Sequence, residues 1–247
     1  MGRLAIVLCD QLDRHSPLLD VIDPTVDRMW MAEAAGEAKH VWSHKARIAL
    51  FLAAMRHFRD EMRARGLDVV YHELDAEPSA DGASELAALL AADIERLNPD
   101  RLLVVHPGEH RALMMLREVA DSAGLGLEVL EDTHFYCTIE EFRAWLGRRK
   151  QPRMEHFYRE MRKRHSVLMD HGEPAGGRWN YDQDNRKSFG KTGPRGISAP
   201  PDFKRDDTTR AVLDLVERRF PDHPGSLERF NWPVTPAQAR AGLNAFI

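Results

Sequence analysis

Through the first 147 residues, short apolar runs alternate with longer stretches in which hydrophobic residues recur every three or four positions. Leu4-Ala5-Ile6-Val7-Leu8 is uninterrupted, as befits a strand covered on both faces of a parallel sheet, and it ends in the polar group Cys9-Asp10-Gln11-Leu12. Comparable runs predict strands at 28–33, 68–74, 101–106 and 127–130. Between them the period predicts a helix over 43–65, with Ser43 as N-cap, Ile48, Leu52, Met55 and Phe58 as its inner stripe, and Gly66 just past its end. Further helices are predicted over 83–98 and from Pro107-Gly108-Glu109-His110 to Ser122. Strands and helices alternating at this length form βαβ crossovers, so the fold class is α/β with a parallel sheet flanked by helices. Thr138-Ile139-Glu140-Glu141 resembles a capping box and opens one more helix, ending near Gly147 and closing a first domain at 1–147.

The pattern then changes. Met154, Phe157, Tyr158, Met161 and Leu168 share one helical face, and Arg159, Arg162, Lys163 and Arg164 are expected on the other. Pro174, Gly176-Gly177 and Trp179-Asn180-Tyr181 interrupt the period and predict an ordered loop, and the Gly- and Pro-rich stretch 188–203 reads as extended linker. Residues 148–203 are therefore expected to form a basic interdomain helix and linker. A helix over 208–220 and another opened by Thr235-Pro236 follow, the last running without a cap to Ile247. Residues 204–247 are accordingly expected to be the start of an all-α domain that the chain does not complete.

At 247 residues and 43% hydrophobic, the chain can bury a sizeable core. No apolar run nears the roughly 20 residues of a membrane span, and Leu4–Leu8 is too short for a signal peptide, so a cytoplasmic protein without a membrane partner is expected. Two cysteines, Cys9 and Cys137, support neither a disulfide framework nor an iron–sulfur cluster, which needs about four thiolates. The net charge of −4 conceals a division: residues 1–142 hold 14 Lys and Arg against 26 Asp and Glu, while 143–195 hold 14 against 6. A local basic excess beside an acidic domain points to an anionic partner, most commonly a phosphate backbone. Arg159, Arg162, Lys163, Arg164, Arg178 and Arg186 are the candidate DNA-binding residues.

G-x-G-x-x-G, G-x-x-x-x-G-K-[ST] and G-x-S-x-G are all absent, which removes the commonest dinucleotide, P-loop and nucleophile-elbow chemistries. The candidate pocket is Cys9, Asp10, Gln11, Leu12, Glu33, Glu37, His44 and Glu109, all near carboxyl ends of predicted strands, where α/β sheets bind ligands. Carboxylates and an amide without a cation-rich cradle suit a neutral polyhydroxylated or heteroaromatic ligand.

Several of these groups also carry a family resemblance. They are Asp10-Gln11-Leu12, Glu33 with Glu37-Ala38, His44-Lys45 before Ala54-Met55-Arg56-His57-Phe58, and Pro107-Gly108-Glu109. Met154-Glu155 with Phe157-Tyr158-Arg159-Glu160-Met161-Arg162, Gly176-Gly177-Arg178-Trp179-Asn180 and Asn185-Arg186 complete the set. Together, in order and at matching spacings, they resemble the N-terminal half of the bacterial photolyase/cryptochrome-like proteins with an iron–sulfur cluster, the prokaryotic (6-4) photolyases. The resemblance implies a Rossmann-like antenna domain, a long interdomain linker, and a helical domain binding FAD and a 4Fe-4S cluster that these 247 residues lack for the most part. It implies a monomer acting on damaged DNA and a ribityl-lumazine antenna held near Asp10, Gln11, Leu12, Glu37 and Phe51. The sequence departs from the family pattern at Cys9, where Gly is usual, at His110, where Trp is usual, and at Phe51, where the residue is usually aliphatic. A cryptochrome-like blue-light signalling protein, and an α/β nucleotide-binding module with a nucleic-acid-binding linker, stay open as other readings.

Overall fold

The computed structural model describes the chain except residues 1, 37–41, 78–84, 148, 183–185, 187, 192, 195 and 198. It divides into two compact units, residues 1–132 with 200–247, and residues 133–199.

The first unit is built on five parallel strands, β1 (Leu4–Ile6), β2 (Arg28–Ala32), β3 (Asp68–His72), β4 (Leu102–Val105) and β5 (Leu127–Leu130), in the order β3-β2-β1-β4-β5. Leu4, Ala5 and Ile6 pair with Arg28, Met29 and Trp30 on one side and with Leu102, Leu103 and Val104 on the other. Side chains alternate across a strand, so β1 feeds two cores. Ala5 and Val7 join Met29, Met31, Leu103 and Val105 under α2 (Lys45–Ala64). Leu4, Ile6 and Leu8 join Trp30 and Val104 under α3 (Leu86–Leu97) and α4 (His110–Ser122). A five-residue helix, α1 (Pro17–Val21), which the period was too short to announce, adds Leu18 to the first core.

Helix α2 starts one residue later than the sequence suggests: His44 is the N-cap, its Nδ1 accepting from Ala46 N at 3.1 Å, while Ser43 is buried and its carbonyl accepts from His223 Nδ1 at 2.9 Å. The helix over 139–146, α5 (Ile139–Leu146), has the full capping box of Thr138 and Glu141.

After the linker, α7 (Asp207–Arg219) lies against α2, and Val212, Leu213, Leu215, Val216 and Phe220 enter the same core as the sheet. Its apolar stripe is satisfied by the outer face of α2, so residues 200–247, including the last helix α8 (Pro236–Phe246), belong to the α/β unit.

In the second unit, α5 and α6 (Met154–Arg164) meet through Phe142, Trp145 and Phe157, whose ring centroids lie 5.0–5.9 Å apart. Where the sequence suggested loop, a two-residue hairpin of β6 (Met169–Asp170) and β7 (Glu173–Pro174) precedes a 3-10 turn over Ala175–Gly177. Among the described residues no helix is long and apolar enough to cross a membrane.

Candidate functional site

From the central β1 the chain winds outward in both directions, and the reversal leaves a crevice beyond the carboxyl ends of β1 and β4, where ligands bind in open α/β sheets. Gln11 ties the two strand ends together: its Nε2 donates to Val105 O at 2.9 Å and its Oε1 accepts from Leu8 N at 3.3 Å. Beside this brace lies a cavity of about 210 Å³. Ile48, Leu52, Met55, Leu74, Leu86 and Phe220 give it apolar walls, and the exposed Asp10, Arg47 and Glu109 give it a polar rim. Phe51 lies between, with the Arg47 guanidinium 5.6 Å from its ring centroid.

Of the residues expected in this pocket, Cys9, Asp10, Glu33, Phe51 and Glu109 line it. Gln11 braces the strand ends, Leu12 packs against the core and His44 caps α2, so these three serve the walls rather than the cavity. Glu37 lies outside the described residues. Glu33 reaches the cavity wall, but its carboxylate is already fully used. Arg56 donates to both oxygens at 2.7 and 2.9 Å, the Tyr71 hydroxyl donates at 2.7 Å and Leu74 N at 2.8 Å. Burial, with the neighbouring Glu33 carboxylate, drives the Tyr71 hydroxyl far above its ordinary range, so it remains a protonated donor. A network this complete is structural, because no lone pair is left for a ligand.

Sequence reasoning missed Arg47 and Phe220. Arg47 precedes Phe51 by one helical turn and could have been read from that i,i+4 spacing. Phe220 could not, because its segment was assigned to another domain.

The basic residues of the second unit have different fates. Arg162 is 6% exposed, and its guanidinium donates to the carbonyls of Val167 and Leu168 and to the Tyr158 hydroxyl. It therefore leaves the solvent-facing side on which the sequence set it. Helix α6 stops at Arg164, Ser166 and Leu168 take positive φ of 54° and 52°, and the carbonyls that this turn exposes are capped by Arg162. Arg164 pairs with Glu141 at 2.8 Å. Arg159 pairs with Glu155, and Lys163 stands over the Trp179 ring with its Nζ 5.3 Å from the centroid. Arg178 lies 5.9 Å from the Tyr181 centroid, and Arg186 is exposed.

A doubly wound sheet with an apolar cavity at its switch point makes this an α/β Rossmann-like domain, of the architecture in which such crevices commonly take small ligands. The chain matches the model of the deoxyribodipyrimidine photo-lyase-related protein family over residues 5–232. It is 38% identical, over 249 aligned positions, to a (6-4) photolyase of Agrobacterium fabrum (strain C58), an alignment that covers all of this chain and 48% of that protein. It is also 26% identical over 141 positions to the uncharacterized protein R852 of Acanthamoeba polyphaga mimivirus, covering 56% of this chain and 68% of that protein. The chain belongs to the deoxyribodipyrimidine photo-lyase-related family. It spans about half the length of the photolyase it matches.

Proposed function

We propose that this chain is the antenna-binding part of a light-dependent DNA-repair photolyase of the (6-4) type, and that its switch-point cavity holds a ribityl-lumazine. The cavity carries the proposal. Its 210 Å³ is below the about 300–1,000 Å³ of sites that enclose a drug-sized ligand, which suits a flat bicyclic ring inside and a polar chain running out over the rim. Apolar walls and Phe51 would exclude water from the ring faces, Arg47 would donate to a ring carbonyl, and Asp10 and Glu109 would accept from ribityl hydroxyls. When bound, the lumazine would absorb light and pass the excitation on. The flavin, the iron–sulfur cluster and damaged DNA belong, in this proposal, with the remainder of the photolyase.

Titration with dimethyl-ribityl-lumazine tests it. A saturable fluorescence change is expected, lost in Ala112→Phe, which fills the cavity that Ala112 lines, and weakened about tenfold or more in Asp10→Asn. Saturable binding that survives Ala112→Phe unchanged would move the ligand elsewhere.

A further inference from the structure

Three cations stand over one indole in the second unit. The guanidinium carbons of Arg159 and Arg162 and the Nζ of Lys163 lie 5.5, 5.2 and 5.3 Å from the Trp179 centroid. The ring is carried by a tight turn: Gly176 and Gly177 have φ of 76° and 72°, and the Tyr181 hydroxyl donates to Gly176 O at 2.7 Å. A Cβ on Gly176 would come within 2.3 Å of that hydroxyl.

The three cations are not equivalent. Arg162 is committed to the carbonyls of Val167 and Leu168, so its charge is a permanent part of the platform. Arg159 gives one edge to Glu155, while its buried Nε has no hydrogen-bond acceptor. Lys163 is exposed and, among the described residues, has the Trp179 face as its partner. Arg159 and Lys163 are four residues apart on α6, neighbouring like charges that disfavour the helix unless an anion lies between them. The adjoining groove is lined by Arg162 and by two carboxylates, Glu155 and Asp182, so the three cations over the ring outnumber these described carboxylates by one.

We propose that Arg159 and Lys163 form a clamp for one phosphate of a nucleic-acid backbone, with Trp179 as the platform that sets their spacing. A tetrahedral phosphate offers separate oxygens to a guanidinium edge and an ammonium, and it displaces Glu155 from Arg159. Only the identity of the polyanion rests on the repair reading; the clamp rests on this geometry.

The test is anisotropy titration of a labelled duplex with the whole chain at several salt concentrations. Arg159→Gln and Lys163→Gln are each expected to reduce the log–log salt slope by about one unit, and the double variant also by about one, because both residues neutralise the same phosphate. Glu155→Gln is expected to tighten binding several-fold more than Glu160→Gln, an equal charge change on the same helix at a carboxylate 3.8 Å from Arg149. An unchanged slope in the double variant with unchanged melting overturns the clamp and leaves the repair reading intact. A loss of about two units in the double variant makes these separate contacts and also overturns it. With inorganic phosphate as probe, a fluorescence change that disappears in Trp179→Phe supports the clamp. The same change in a chain that binds no duplex overturns the nucleic-acid assignment.

Discussion

A carboxylate with no exposed surface needs every oxygen satisfied, and Glu33 achieves this through Arg56, Tyr71 and Leu74. Glu33→Gln leaves the buried Arg56 without its main counter-charge and is expected to cost about 3–5 kcal/mol in denaturant unfolding, with lumazine affinity of the folded protein unchanged. A stable variant that loses binding would return Glu33 to the site. Asp93 poses the same problem with a pH signature. Burial pushes its carboxyl up, but hydrogen bonds from His72, Arg96 and Trp30 outweigh burial and hold it below the usual range. A depressed folded value means that the stabilisation is complete above the unfolded value near 3.8 and is lost as pH falls through the lower folded value. The melting temperature is therefore expected to fall steeply below about pH 4, and Asp93→Asn is expected to melt lower at neutral pH with a shallower acid decline. Parallel acid limbs for the two proteins would assign the decline to other carboxylates, of which Asp27 is also held low.

At the scale of elements, the last turn of α7 and the loop after it grip the start of α2: Pro224 O accepts from Lys45 N at 2.9 Å, and Lys45 Nζ pairs with Glu217 at 2.6 Å. Gly225 sits at φ 93°, and a Cβ there would lie 1.8 Å from His44 Nε2. Gly225→Ala must adopt a left-handed backbone at about 1–2 kcal/mol and push aside the imidazole that caps α2, at about 1 kcal/mol more. Gly66→Ala has a similar φ of 88° but open space, so only the backbone cost is expected. Equal losses in the two variants would remove the cap from the account. These elements also show what the sequence could convey. The parallel sheet was legible because each strand is a short apolar run ending in polar residues, and the capping box of α5 because it is local. The partner of α7 was not, since an amphipathic stripe says that a face is covered and not by what. The inward turn of Arg162 escaped for a related reason: its acceptors are carbonyls of a turn whose positive φ at Ser166 and Leu168 leaves no signature in those residue types. Within the pocket, Asp10 and Glu109 were legible at strand ends, whereas the difference between an exposed carboxylate and the buried, fully bonded one of Glu33 depends on Tyr71 and Arg56, distant in sequence.

Across the whole molecule, charge follows the compact units. Residues 1–132 with 200–247 hold 21 basic and 31 acidic side chains, and 133–199 hold 14 and 8. The acidic unit carries the cavity and the basic unit carries the cations over Trp179, a division suited to a small ligand on one and a polyanion on the other. The acidic unit is discontinuous in sequence, which makes its integrity depend on the far end of the chain. Val212, Val216, Phe220, Leu227, Phe230 and Val234 are each at most 5% exposed and share one core with Ala5, Met31, Leu52 and Met55. Each such burial contributes about 1.5–3 kcal/mol, so together they approach the whole stability of a domain, about 5–15 kcal/mol. A chain ending at residue 199 is expected to lose its cooperative thermal transition, bind a hydrophobic dye such as ANS, and lose the cavity proposed for lumazine, whose wall includes Phe220. The wedge of α7 against α2 is the step most exposed to refutation: if the shortened chain melts cooperatively within a few degrees of the full chain and binds lumazine equally well, residues 200–247 are not part of the fold that forms the cavity.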